Sequence, residues 1–269
     1  MSGGCLVSFH AHPDDEAIFT GGTILRAIRR GWRVVVVVAT SGESGTSSAW
    51  VSGDDLGAHR RRETIEAARV LGVDQVVFLG YRDSGVDAHR DAGAQGPMPG
   101  WSYGTLDRAS VLEVAERLHR VLVDERADVL TSYDEAGIYG HRDHVRVHEI
   151  ARAAILGTVC ELVEATVSRS ELRQIRDSLL RRGLDPLVWP HHHLDRIGTD
   201  DVSAMITVDV GEDLPRKLRA VAAHASQVVE AADFMGVPPG AFHRVLAKEF
   251  FLVARSLAGS FAELARAPA

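Results

Sequence analysis

The run Cys5-Leu6-Val7-Ser8-Phe9, followed at once by His10-Ala11-His12-Pro13-Asp14-Asp15-Glu16-Ala17, decides how the rest of this 269-residue chain is read. A mostly apolar stretch gives way to two histidines and three carboxylates. A buried strand should end there and a helix begin. Crowding so many ionisable groups against a core is costly unless something pairs with them, and a divalent cation is the simplest partner.

Outward from that junction, strand and helix patterns alternate. Glu16 to Arg30 carries Ile18, Leu25 and Ile28 at helical spacing and stops at Gly31. Arg33 to Ala39 is β-branched almost without a break, as a strand covered on both faces should be. A helix follows from about Ala58 to Leu71, closed by Gly72, then a strand from Gln75 to Leu79. The pattern continues with a helix over Arg108 to Arg126, a strand over Asp128 to Thr131, and a helix from His141–His144 to about Gly157. This order predicts an α/β fold, a Rossmann-like and mostly parallel sheet with helices on both faces. Beyond Gly157 the spacing predicts helices over Ser170 to Arg182, Leu214 to Ala232 and Ala241 to Ser256, with a strand over Ala204 to Val210. No linker or repeat interrupts the chain. Residues 1–269 are therefore read as a single domain, with a core of 1–157 and an extension of 158–269 completing it.

The net charge of -7 argues against nucleic acid as the main partner, since strand-tracking needs an excess of Lys and Arg. The one dense basic cluster, Arg60-Arg61-Arg62, reads as a solvated helix start with room for one arginine to face a ligand. Two cysteines, Cys5 and Cys160, cannot build a disulfide framework, and buried free thiols fit a reducing compartment. Met1-Ser2-Gly3-Gly4 has no basic leader character, and the longest apolar run, Val34 to Ala39, is strand-sized. The expectation is a soluble cytoplasmic protein with no membrane partner. No Gly-x-Gly-x-x-Gly follows the first strand, and Gly21-Gly22 lies too far into the helix to replace it, so that pair is read as close helix packing.

A second cluster, Tyr139-Gly140-His141-Arg142-Asp143-His144-Val145-Arg146-Val147-His148, supplies what the first lacks. In open parallel sheets ligands bind beyond the carboxyl ends of the strands. Both clusters fall there, as do the long connections Ser41–Gly57 and Tyr81–Thr105 with Trp50 and Trp101, read as pocket walls. A catalytic zinc usually has three protein ligands and an open position for water, and His12, Asp15 and His144 are the natural set. Asp14 remains as a base for the attacking water. Protonated His141, or the Tyr139 hydroxyl, would hold the oxyanion, with Asp143 orienting His141 and favouring its charged form. Alone, an Asp-Asp-Glu is usually a helix cap and a His-x-x-His is usually surface polarity. Two such clusters at strand ends on one rim of one sheet favour a site. His10 reads as a satisfied core histidine or a support for the ligands. His148 either competes as a ligand or lies on the outer helix face. His191-His192-His193 resembles a metal-binding tract, but Pro190 before it favours an exposed loop.

These residues resemble the GlcNAc-PI de-N-acetylase family, also called PIG-L or LmbE-like. Its Ala-His-Pro-Asp-Asp-Glu motif stands unbroken at Ala11–Glu16, and its Gly-His-Pro-Asp-His motif stands as Gly140-His141-Arg142-Asp143-His144, with arginine for the customary proline. The resemblance runs from the first strand to at least Gly157. A weaker match, His224-Ala225-Ser226-Gln227, corresponds to a family His-x-Ser-Gln segment. Arg60-x-x-Glu63 before Leu71-Gly72, Arg82-Asp83-Ser84-Gly85 and Tyr139-Gly140-His141 are similar to the branch holding the actinobacterial MshB deacetylases and mycothiol S-conjugate amidases. The resemblance implies a zinc-dependent hydrolase, with Fe2+ as the other candidate metal. It would remove an N-acyl group, foremost acetyl, from an amino sugar or its conjugate. It further implies that Arg60 and Asp83 bind substrate hydroxyls and that Tyr139 assists at the carbonyl oxygen. The implied partner is a small molecule, with homo-oligomer formation left open. Rival readings are an amidase for a mycothiol-type conjugate or natural-product intermediate, and a non-catalytic sugar-binding protein. Asp14 argues against the last, because binding alone needs no base.

Overall fold

The computed structural model describes residues 3–45, 54–85, 104–183, 197–200, 204–227, 242–257 and 259–266. Seven strands form one sheet: β1 (Cys5–His10), β2 (Arg33–Thr40), β3 (Gln75–Tyr81), β4 (Val129–Tyr133), β5 (Glu161–Thr166), β6 (Met205–Asp209) and β7 (Lys248–Arg255). Their order across the sheet is β3-β2-β1-β4-β5-β7-β6. Neighbours from β3 to β5 are parallel, whereas β7 runs antiparallel to β5, and β6 to β7. Every residue of β1, and of β2 after Arg33, is buried, as the mostly apolar runs require of strands covered on both faces. The helices are α1 (Asp15–Phe19), α2 (Gly21–Arg29), α3 (Asp54–Leu71), α4 (Val111–Asp124), α5 (Gly137–Gly140), α6 (Arg142–Ala154), α7 (Arg169–Leu180), α8 (Leu214–Ala223), α9 (Phe242–Val245) and α10 (Ser260–Ala265). In α4 the fully buried Val114, Leu118 and Leu122 recur every fourth residue, each contributing roughly 1.5–3 kcal/mol through burial.

The chain steps one way from β1 to β2 and β3, and the other way from β4 to β5. The reversal opens a crevice at the carboxyl ends of β1 and β4. Both polar clusters follow those two strands.

Four expectations change. The helix expected over Glu16–Arg30 is two helices broken at Thr20. The cause is Glu249, whose carboxylate accepts from the main-chain N–H groups of Gly22 (2.6 Å) and Thr23 (2.8 Å) and so caps a fresh helix start. Glycine is needed at 22 because a Cβ would stand 2.6 Å from Val210 Cγ2 and 3.1 Å from Glu249 Oε1, so its close packing is against a carboxylate and a strand end. The helix expected over Ala241–Ser256 is the short α9 followed by β7. Glu249 and Phe251 alternate inward there, and Glu249 pairs with the fully buried Lys217 at 2.7 Å. β5, with its mixed Glu-Leu-Val-Glu sequence, was not anticipated; with β6 and β7 it continues the same sheet beyond Gly157. The helix from Leu214 ends at Ala223. Trp50, Trp101 and His191–His193 lie outside the described residues. Among the described residues no helix is long and apolar enough to cross a membrane.

Candidate metal centre

β1 delivers His12 to the crevice, and α6 delivers His144 from the far side of the switch point. Asp15, first residue of α1, completes a triangle. His12 Nδ1 lies 3.6 Å from Asp15 Oδ2 and 3.3 Å from His144 Nε2; His144 Nε2 lies 3.4 Å from Asp15 Oδ2. Ligands held tetrahedrally at about 2.1 Å from one ion stand about 3.4 Å apart. The three donor atoms are thus spaced as a single zinc-sized ion requires, and all three residues are buried. Burial opposes the Asp15 carboxylate, yet His144 and His12 hold its pKa well below the ordinary value.

The other edge of the His12 ring explains why Nδ1 faces the triangle. His12 Nε2 lies 3.2 Å from Asp143 Oδ2 and 3.5 Å from Asp83 Oδ1, so a carboxylate holds the N–H that orients the ligand. Although burial disfavours the charge, Asp83, Asp143 and Asp15 keep the His12 pKa well above its usual value. Asp83 is itself held: Oδ1 accepts from Gly85 N at 2.8 Å, and Asp83 N donates to Glu43 Oε1 at 3.0 Å. Burial pushes the Glu43 carboxyl up to about 7.

Asp143 was expected to orient His141 and favour its charged form. Its carboxylate instead serves His12 and accepts from Ser84 N at 2.9 Å, while its main-chain N–H donates to His141 Nδ1 at 3.2 Å. His141 is therefore the N-cap of α6. Burial first, then the neighbouring His12 and His144, push its pKa down to about 3. The ring is neutral at working pH, with its remaining proton on Nε2.

Asp14 sits at φ 102°, ψ -32°, a region that costs a non-glycine residue of order 1–3 kcal/mol. Its main-chain N–H donates to Glu16 Oε2 at 3.0 Å. Burial, reinforced by Asp15 and opposed by Arg60, pushes the Asp14 carboxyl up to about 7. Arg60 was expected to reach substrate hydroxyls. It is buried, and its guanidinium donates to Pro13 O (2.7 Å) and Gly42 O (2.8 Å), with Asp14 Oδ2 at 3.4 Å. Nη1 and Nη2 are thus engaged with the chain, while Nε has no partner among the described residues.

The Tyr139 hydroxyl stands 3.1 Å from His144 Nε2, at the edge of the triangle, and burial keeps its pKa well above 10, so it remains a donor. Tyr139 follows Gly137 (φ 62°) and Ile138 (φ 65°) in a tight left-handed turn. A Cβ at Gly137 would stand 2.7 Å from His144 Cβ, so position 137 requires glycine. The His144 ring stacks on Tyr133 with centroids 4.3 Å apart. His10 is a satisfied core histidine: Nδ1 meets the Tyr133 hydroxyl at 3.0 Å and Nε2 meets Ser8 Oγ at 2.8 Å. His148 faces β5, with Nδ1 3.1 Å from Tyr133 O and 3.2 Å from Glu164, so it neither joins the donor triangle nor lies on the outer helix face. Arg142, standing for the customary proline, donates to Asp107 (2.9 Å) and to Ser84 O (2.8 Å), tying the Asp83 loop to α6.

The sequence reading passed over Glu16 and Glu43 and assigned His224 no role. His224 Nε2 meets Glu16 Oε1 at 2.6 Å, both fully buried, and Ser226 donates through N and Oγ to Glu63 at 2.9 and 2.7 Å. The His-x-Ser-Gln match was the available signal.

A model of the GlcNAc-PI de-N-acetylase family matches residues 7–155. The 1D-myo-inositol 2-acetamido-2-deoxy-alpha-D-glucopyranoside deacetylase 1 of Saccharopolyspora erythraea is 36% identical over 239 residues, covering 83% of this chain and 77% of its own length. Among solved structures, the N,N'-diacetylchitobiose deacetylase of Pyrococcus horikoshii superimposes with a TM-score of 0.59 at 24% identity, over 93% of this chain and 84% of its own. The teicoplanin deacetylase Orf2, solved in a zinc-inhibited form, gives 0.62 at 19% identity over 94% and 99%. These two show the fold alone.

Proposed function

The chain belongs to the GlcNAc-PI de-N-acetylase family, and from that premise we propose that it is a metal-dependent N-deacetylase of an N-acetylated amino sugar or its conjugate. The observation that carries the reading is the triangle of His12, Asp15 and His144 donors at metal spacing, with the ionisable Asp14 next to it in the chain. Two imidazoles and one carboxylate suit Zn2+, with Fe2+ the alternative. When bound, such an ion polarises an amide carbonyl and brings the pKa of an attacking water toward ~7. Asp14 accepts the water's proton on its carboxylate. With its own pKa near 7 it can then return that proton to the leaving nitrogen, one group serving as base and acid. Neutral His141, through Nε2–H, and the Tyr139 hydroxyl donate to the oxygen where negative charge builds. Asp83, whose Oδ1 lies 3.5 Å from His12 Nε2, takes a sugar hydroxyl. The Saccharopolyspora relative's name points to an acetamido-glucopyranoside linked to inositol as the first substrate to try.

Metal-loaded protein should release free amine from at least one of N-acetylglucosaminyl inositol, N-acetylglucosamine and diacetylchitobiose. A protein that binds one ion yet frees no amine from any of them overturns the reading. In the same assay Asp83→Ala should raise KM by roughly 10- to 100-fold, the worth of a hydrogen bond to a charged group, with a smaller effect on kcat. An unchanged KM would remove Asp83 from the pocket.

A further inference from the structure

We propose that Glu16 and His224 are positioning residues that hold Asp14 in its catalytic conformation; this rests on the reading of Asp14 as the base. The peptide group between Pro13 and Asp14 is gripped at both ends. Its carbonyl accepts from Arg60 Nη2 at 2.7 Å, and its N–H donates to Glu16 Oε2 at 3.0 Å. These two bonds fix the plane that sets the Asp14 φ at 102°. The Asp14 side chain makes no capping bond to α1, and its one hydrogen-bond contact among the described residues, 3.4 Å from Oδ2 to Arg60 Nη2, is longer than either main-chain bond.

Glu16 is not free to turn. Its second oxygen, Oε1, is 2.6 Å from His224 Nε2, and neither side chain is more than 1% exposed. His224 is the residue after α8, and it is anchored in turn. Gln227 N donates to His224 O at 2.8 Å, and Ser226 is bound to Glu63 through both its N–H and its hydroxyl. Glu63 lies three residues after Arg60 on α3. One strap, Arg60, and the anchor of the other, His224, therefore belong to one packed unit, α3 with the end of α8, although His224 is 210 residues from Asp14 in the chain. Removing His224 leaves the buried Glu16 carboxylate without its ion-pair partner and able to swing away from the Asp14 N–H. The strained φ then loses one of the two bonds that impose it.

The test uses full-length, metal-loaded variants assayed on the best substrate from the amine-release panel. His224→Ala should lower kcat by about 10- to 100-fold, the usual consequence of a catalytic group displaced by an ångström. KM and metal content should stay within about twofold of wild type, and His224→Gln, which keeps a donor toward Glu16, should restore most of the rate. The deciding measurement is the double-mutant cycle: added to Asp14→Asn, His224→Ala should cost almost nothing more, because the group it positions is gone. A full additional loss in that background, or a loss carried by KM, overturns the proposal. A crystal structure of metal-free His224→Ala should show Asp14 relaxed to negative φ; retention of φ near 102° would overturn it independently of any assay. Should His224→Ala fail to fold, His224→Asn, polar but too short to reach Glu16, takes its place. If Asp14→Asn keeps wild-type turnover, the reading of the base has failed, and the Asp14 backbone alone then judges the positioning claim.

Discussion

Asp14→Asn is expected to keep the fold, the metal and the substrate affinity while kcat falls by about 10²–10⁴-fold, roughly 3–5 kcal/mol of barrier. Asparagine matches the shape and can still hydrogen-bond, but it cannot take a proton. The wild-type pH profile should carry the same group. Because burial lifts the Asp14 pKa to about 7, kcat/KM should fall close to tenfold per unit as the pH drops below that value. No basic limb from His141 is expected, since its ring already loses its proton at about 3. The linkage has a definite sign. The folded pKa lies above the ordinary 3.8, so the stability contributed by protonated Asp14 is present at low pH and is lost as the pH rises toward 7. Metal-free Asp14→Asn should therefore melt higher than metal-free wild type at pH 8, by a margin that shrinks at pH 5. Turnover at the wild-type rate in Asp14→Asn would end this account of the base.

Asp15→Ala and His144→Ala should each lose the metal on dialysis, and with it essentially all activity. Wild type holding one ion at a free concentration 100 times its Kd gains about 2.7 kcal/mol of stability, visible as a rise in Tm. The two variants should show no such rise when zinc is added. Asp143→Ala, which leaves the donor triangle intact but frees the His12 Nε2–H, should bind metal about 10- to 100-fold more weakly. His148→Ala should bind normally, because that ring is engaged by Glu164 and the Tyr133 carbonyl. If His148→Ala loses the metal while His144→Ala keeps it, the ligand set is misassigned.

The parallel half of the sheet was legible because its signal is local: β1 and β2 are mostly apolar runs, and the helix ends at Gly31 and Gly72 carry positive φ. The donor triangle was legible for a topological reason, since both motifs follow strands that meet at the switch point. What escaped depends on contacts distant in sequence. The break at Thr20 needs Glu249, 227 residues beyond Gly22, and β7 reads as a helix until its pairing with β5 and β6 is known. The roles of Arg60, Asp143 and His141 turned on which atom of each side chain faces the metal triangle. Residue type and spacing do not encode that. Glu16 was hidden inside the most conspicuous motif of the chain, where its neighbours drew the chemical interpretation.

The placement of the two motifs on adjacent strands also bears on how the chain acquires its site. His12 and His144 are separated by 132 residues, and β2, α3, β3 and α4 all lie between the paired strands β1 and β4 in the chain. Contacts of such high sequence separation form late, because loop-closure entropy must be overcome before they contribute. A chain that has completed only β1 to β3 holds His12 and Asp15 but lacks His144, the third member of the triangle. The donor triangle closes only when β4 and α6, which carries His144, are both in place.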